Sequence, residues 1–248
     1  MKRSLFGIAA IAALVGTPVL AADMPLKAPC CAAPSPAYNW SGFYIGADIG
    51  AAWATDTVSP LVSDGGTFPR SNKLSTNGVL GGGTAGYNYQ FSSFLVGVEG
   101  DIGYMAIGGF KADALGGTEV DNLNNGLYGD ATGRAGVIFG NALLYGKGGW
   151  AFFNGRANTT TSLAGFTVGN TGTFSGWTAG GGLEYKLSPA WSAKVEYMHY
   201  KFGTQDASLT SGAGVFPYAN ALTVDSVKMG LNYQFSWGPT PSTCCVTK

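Results

Sequence analysis

Eight stretches of the chain alternate apolar with polar or small residues at period two. They are GFYIGADIGAAW (42–53), GVLGGGTAGYNYQ (78–90), SFLVGVEGDIGYM (93–105), LYGDATGRAGVIF (127–139), ALLYGKGGWAFF (142–153), FSGWTAGGGLEYK (174–186), WSAKVEYMHYKF (191–202) and TVDSVKMGLNYQF (223–235). Successive side chains of a strand point to opposite faces, so each stretch predicts a strand that is apolar on one side only. Each has roughly 10 to 13 residues, the length a tilted strand needs to cross a bilayer. The connections alternate as well. Three are short, around Ser92, at Gly140–Asn141 and at LSPA (187–190), and four are about 20 residues long (54–77, 106–126, 154–173, 203–222) and rich in Gly, Ser, Thr, Asn and Asp. Antiparallel strands joined in this way gather tight turns at one end and long loops at the other. The expected fold is all-β: an eight-stranded antiparallel up-and-down transmembrane β-barrel.

A soluble sandwich or a lipocalin-like barrel also presents eight short alternating strands. What the two faces carry separates the cases. One parity holds Phe43, Ile45, Ile49 and Trp53, then Phe94, Val96, Val98, Ile102 and Tyr104, then Val227, Met229, Leu231, Tyr233 and Phe235. Its aromatic residues gather at the strand ends, as interfacial girdles do. The opposite parity is Gly, Thr, Ser and Asn with ionisable groups, which suits a narrow polar lumen better than a water-facing exterior. Three pairs of charges near strand centres agree: Glu99/Asp101, Asp130/Arg134 and Lys194/Glu196 each share the polar parity.

Composition supports the same direction. Charged residues are 11% of the chain, against about 25% in an ordinary soluble domain. The start, MKRSLFGIAAIAALVGTPVLAADMP, has a basic beginning, an apolar run and small residues around Ala21, the layout of a secretory signal peptide over residues 1–21. Past it no run of about 18 apolar residues occurs, which excludes spanning helices. Loss of Lys2 and Arg3 would leave the mature chain slightly acidic, with no basic field to attract nucleic acid.

Ten charges fall on the lumen parity: Asp48, Glu99, Asp101, Asp130, Arg134, Lys147, Glu184, Lys194, Glu196 and Lys228. An eight-stranded barrel is just wide enough for side chains to fill, and buried charges must be paired. Inward glycines such as Gly46, Gly82, Gly180 and Gly230 are expected to make room for Arg134, Lys147, Lys194 and Lys228. Two readings stand: a salt-bridge network that plugs the lumen, and the charged constriction of a narrow diffusion pore for small solutes. Acid–base catalysis lacks a substrate cleft. His199, the only histidine, has lipid-facing parity, whereas Glu196 and Tyr200, its suggestive neighbours along the strand, face inward. It is expected to be a girdle or rim residue. GGGTAG (81–86) matches a dinucleotide-binding spacing, but YNYQF continues the strand period where a helix would be required. No catalytic, cofactor-binding or metal-ligating set emerges, and the expectation is a protein that is not an enzyme.

The ordered set AADMP, NWSGFYIGADIG, GYNYQ, VGVEGDIGYM, GWTAGGGLEYKL, AKVEYMHYKFG and VKMGLNYQF resembles the outer-membrane immunogenic protein family of alphaproteobacteria, a porin-superfamily group of small OmpA/OmpX-type barrels. The similarity runs from Trp40 to Phe235. It implies an abundant surface antigen of the cell outer membrane that contributes to envelope integrity, among outer-membrane lipid and lipopolysaccharide, with no shared catalytic residues. It also implies an aromatic insertion signal for the barrel-insertion machinery at the end of the last strand. Members usually end on that aromatic; Phe235 fits the role, and this chain departs from the pattern by continuing 13 residues further to Lys248.

The expected organisation is therefore a signal peptide (1–21), a flexible Pro/Ala-rich leader (22–39), the barrel (40–235) and a tail (236–248). An even strand number puts both chain ends on the periplasmic side and the four long loops outside. Cys30 and Cys31 lie in the leader, Cys244 and Cys245 in the tail. In an oxidising compartment one or two disulfides joining leader to tail are expected, with three full pairings open and intermolecular links or free thiols as rivals. The polar loops carry scattered aromatics (Phe68, Phe110, Phe166, Phe216, Tyr218) and could hold an extracellular ligand whose identity their sequence does not give.

Overall fold

A computed structural model of the chain describes residues 38–60, 72–112, 119–161, 172–211 and 214–235. Its strands are β1 (Gly42–Pro60), β2 (Asn72–Phe91), β3 (Phe94–Ala106), β4 (Gly109–Ala112), β5 (Glu119–Leu123), β6 (Gly126–Phe139), β7 (Ala142–Phe153), β8 (Ala157–Thr161), β9 (Phe174–Lys186), β10 (Trp191–Phe202), β11 (Gln205–Ser211) and β12 (Gly214–Gln234). The strands β1, β2, β3, β6, β7, β9, β10 and β12 pair antiparallel in chain order, and β12 closes on β1. Closure satisfies the backbone of every barrel strand and removes the free edge that a bilayer could not hydrate.

The eight period-two stretches are these eight barrel strands, and their turn-end boundaries agree to within one residue. Two turns reverse the chain tightly because their first residue takes a left-handed conformation, Gly140 at φ 59° without cost and Ser92 at φ 57° with some strain. At the loop end the strands run further than the alternation suggested. β1 continues to Pro60, β2 starts at Asn72 and β12 at Gly214, all inside segments read as loops. The ladder persists there, with Val58 opposite Asn220 and Thr57 opposite Lys73. It is held by inward apolar residues (Val58, Leu74, Leu222) that the surrounding Gly, Ser and Thr had masked. β11 takes over the edge of β12 where β10 leaves it, and β4, β5 and β8 form a separate three-stranded sheet from two long connections at the same end of the barrel.

The greasy parity points out. Phe43, Ile49 and Met229 are each more than 60% exposed, while Tyr44, Asp48 and Lys228 on the other parity are buried. At the turn end the outward aromatics pack into a girdle, with Phe43 edge-on to Tyr87 at 4.8 Å and Trp191 to Tyr233 at 5.2 Å. A second girdle near the loop end includes Trp150, Phe152 and Trp177. The charge-free band between them matches the outward surface of a membrane barrel.

Candidate functional site

The interior is the site, and it is built in three layers. The middle layer holds the ten charges expected on the lumen parity, and all ten are buried. Glu99 on β3 is their hub. Its Oε1 accepts from Lys147 Nζ at 2.6 Å, with Lys194 Nζ at 3.6 Å, and its Oε2 accepts from Tyr44 at 2.5 Å and Arg134 at 3.1 Å. Arg134 then reaches Glu184 at 2.8 Å, and its guanidinium lies 4.1 Å from the centre of the Tyr145 ring. Lys147 also donates to Asp101 (3.0 Å) and meets Glu196 (3.0 Å). Lys228 sits between Glu196 (3.3 Å) and Asp101 (3.5 Å). Among the described residues Lys228 makes no hydrogen bond beyond these two ion pairs, and three more of the ten are less well matched. Asp130 accepts from Tyr200 at 3.2 Å, Lys194 has only the long contact to Glu99, and neither oxygen of Asp48 has a hydrogen-bond partner.

Polar side chains that the sequence reading passed over complete this layer. Ser192 and Asn232 donate to Glu184 Oε1, at 2.5 and 2.8 Å, and the Tyr145 hydroxyl donates to Glu196 at 2.8 Å. Lys186 is a further interior cation, bonded to Gln234 and to the Pro189 carbonyl, with its ammonium 5.0 Å from the Trp40 ring centre. These residues share the parity of the ten, so alternation alone would have found them.

Gly230 lies beside a long cation as expected, whereas the other three glycines do a different job. A Cβ at Gly230 would lie 3.4 Å from Lys194 Cε, and one at Gly97 would lie 3.3 Å from Arg134 Cγ. At Gly46, Gly82 and Gly180, however, the nearest atoms belong to backbone carbonyls, Asn232, Thr84 and Met198 rather than to the long cations. There the missing side chain lets neighbouring strands and short side chains approach.

The other two layers are apolar, which corrects the expectation of a lumen polar throughout. At the loop end Met105, Tyr128, Phe153, Phe174, Met198, Tyr200, Phe202, Leu222 and their neighbours form one buried cluster, with Tyr200 stacked on Phe202 at 6.1 Å. At the turn end Trp40, Leu95, Leu143 and Tyr145 form another. Trp40 is pinned there because its backbone N–H donates to Gln90 Oε1 at 2.9 Å while Gln234 Nε2 donates to the Ser41 carbonyl at 2.7 Å. The signal was the run of large apolar residues on the inward parity beyond each strand centre.

His199 is half-buried on the outward parity beside Trp177, and Glu196 and Tyr200 do face inward. Its partner lies across the ladder on β12. Asp225 Oδ1 is 2.7 Å from His199 Nδ1. Among the described residues no three His, Cys, Asp or Glu side chains gather into a metal cage. GGGTAG lies within β2. Phe235 follows β12, its N–H donating to the Phe43 carbonyl at 2.9 Å. Of the loop aromatics, Tyr218 is buried in β12 beside Val58, Phe110 and Phe216 fall in strands, and Phe68 and Phe166 lie outside the described residues. Cys30, Cys31, Cys244 and Cys245, with the signal segment, most of the leader and the tail, also lie outside them.

Comparison with known proteins agrees with this architecture. The family model described as "Outer membrane protein beta-barrel domain" matches residues 10–235. The 31 kDa outer-membrane immunogenic protein of Brucella melitensis is 30% identical over 92% of this chain and 98% of its own. The 22 kDa outer membrane protein of Rhizobium leguminosarum bv. viciae is 28% identical over 81% of this chain and 80% of its own. Among solved structures, the outer membrane protein OprG of Pseudomonas aeruginosa superposes with a TM-score of 0.50 at 16% identity, covering 79% of this chain and 96% of that one. That likeness is one of fold.

Proposed function

The chain belongs to the outer membrane protein β-barrel domain family, and from that premise we propose that it is a structural barrel of the bacterial outer membrane whose lumen is plugged. It strengthens the envelope and displays its loops at the surface, with the tight turns and both chain ends on the periplasmic side, as the asymmetry of such barrels implies. It works among outer-membrane lipid and lipopolysaccharide, and Phe235 serves as the aromatic read by the barrel-insertion machinery. The role is non-enzymatic, in keeping with the immunogenic outer-membrane names of the curated relatives.

The observation that carries the plug is the stacking of the interior. A network of charges whose side chains have no exposure at Glu99, Arg134, Lys147, Lys194, Glu196 and Lys228 is covered by apolar clusters at both ends. A hydrated pore requires charges that water and ions can reach. Planar-bilayer recording of the folded protein tests the reading. The expected trace has no steady single-channel steps; regular steps of fixed conductance would replace the plug with a narrow porin.

A further inference from the structure

On the outer wall, near the loop end, neighbouring strands gather side chains that a lipid-facing surface does not ordinarily carry. Asp225 on β12 stands opposite His199 on β10, and its Oδ1 accepts from the Tyr197 hydroxyl at 2.6 Å and lies 2.7 Å from His199 Nδ1. A carboxylate only accepts, so Nδ1 carries a hydrogen, and in the imidazolium form the ring has a second N–H, at Nε2, left to donate elsewhere. The rings of Trp177 and His199 are 5.5 Å apart. Two residues further along the same face Lys201 is exposed, with Trp177 and Thr223 as its ladder partners. Among the described residues neither His199 Nε2 nor Lys201 Nζ has a partner.

Depth tells what meets this cluster. From Trp191 in the turn-end girdle to His199 a tilted strand climbs roughly 20 Å, and to Lys201 roughly 25 Å, about the height of the apolar band. His199 therefore sits just under the far boundary of the hydrocarbon and Lys201 at it. A carboxylate at that depth is a cost that a plain girdle would avoid by using another aromatic. It is offset here by fixing the imidazole, which leaves its second nitrogen unpartnered on the same strand face as the Lys201 ammonium. Successive residues on one face are about 7 Å apart, so two donors flank a space that a phosphate, with its several acceptor oxygens, fills.

We propose that His199 Nε2 and Lys201 Nζ, with Asp225 orienting the imidazole and Trp177 alongside it, bind the phosphate monoester of a lipid in the outer leaflet. This rests on the reading that the loop end faces the outside of the cell. Asp225 is a positioning residue, and His199 and Lys201 make the contact. The site anchors one lipid against the barrel wall on the β10 side, and deepens the envelope role by tying the barrel to its leaflet.

His199 is the only histidine, so its side chain gives the only imidazole signal. Nitrogen NMR of the full barrel in phosphatidylcholine nanodiscs, whose phosphates are diesters, with increasing phosphatidic acid as the lipid that carries a phosphate monoester, reads the site directly. The expected result is a saturable shift of Nε2, with the apparent affinity falling about fivefold in Lys201→Gln. Phosphatidylserine at equal charge and inorganic phosphate in the buffer are expected to leave the signal nearly unmoved. A silent Nε2, or an equal response to phosphatidylserine, would overturn the site. An equal response to inorganic phosphate would overturn the lipid as its ligand. The heat-modifiable gel mobility of the same samples reports insertion, so a barrel that fails to insert counts against the envelope reading, whereas an inserted barrel with a silent Nε2 counts against this site alone.

Discussion

Lys147 on β7 reaches past β6 to meet Glu99 on β3 at 2.6 Å, and neither side chain has any exposure. The contact ties together strands that share no backbone hydrogen bonds, so the charged layer acts as a cross-brace inside the sheet. Its worth lies in completeness. Removing one partner of a buried pair leaves the other charge stranded, whereas removing both is often nearly neutral.

The Glu99→Ala variant is accordingly expected to lose about 3–5 kcal/mol, because Arg134, Lys147 and Lys194 all lose their common acceptor. Replacing Glu99 and Lys147 together by Met should cost less than Glu99→Ala alone. Urea unfolding in lipid vesicles, followed by tryptophan fluorescence, measures both. Equal losses in the single and double variants would show that the pair does not act as a unit.

The loop-end cluster is expected to contribute to stability without governing closure. Phe202 packs on Tyr200, Phe153 and Phe174, with ring centres 6.1 to 6.5 Å apart. Phe202→Ala should cost about 3–5 kcal/mol through the cavity it opens. The bilayer trace should stay silent, since the charged layer beneath is untouched. Steps appearing in this variant alone would make the apolar cluster the gate.

How far these features could be read from the chain depends on whether they are local. The barrel was legible because period two is a property of consecutive residues, and GFYIGADIGAAW or VKMGLNYQF shows it directly. The same parity placed Glu99 and Arg134 inside, though not their meeting, which the stagger of the strands decides. The strand extensions around Val58, Leu74 and Leu222 were hidden because their neighbours are turn-formers by composition, and only pairing with an existing ladder makes them strands. Asp225 and His199 are 26 residues apart and adjacent only through the register of β10 on β12. Lys186 was overlooked beside a tight turn, although Glu184 two positions earlier had already fixed its face.

The outward face makes a depth-dependent prediction. Met229 is 62% exposed between Ile49 and Val195, midway along the apolar band. Met229→Arg should destabilise the bilayer-inserted barrel by about 2–4 kcal/mol, and Thr55→Arg, opposite Thr223 at the loop end, by no more than about 1 kcal/mol. Urea titration in vesicles compares them. Equal costs at the two depths would mean that this face does not meet hydrocarbon.

The cysteines give the last test. Asn39 and Phe235 leave the barrel side by side, since Gln234 Nε2 donates to the Asn39 carbonyl at 3.3 Å and Phe235 pairs with Phe43. Cys31 is eight residues before Asn39 and Cys244 nine residues after Phe235, so each segment reaches about 25–30 Å when extended. Two tethers anchored at one point with that reach bring Cys30 or Cys31 against Cys244 or Cys245 at little entropic cost. In an oxidising periplasm they are expected to join within one chain, giving a compact, fast-migrating monomer on non-reducing gels that reductant abolishes. Changing Cys244 and Cys245 to Ser should abolish it equally. A shift in the dimer range instead would make the bond intermolecular, and unchanged mobility in both ranges would leave the four thiols unlinked.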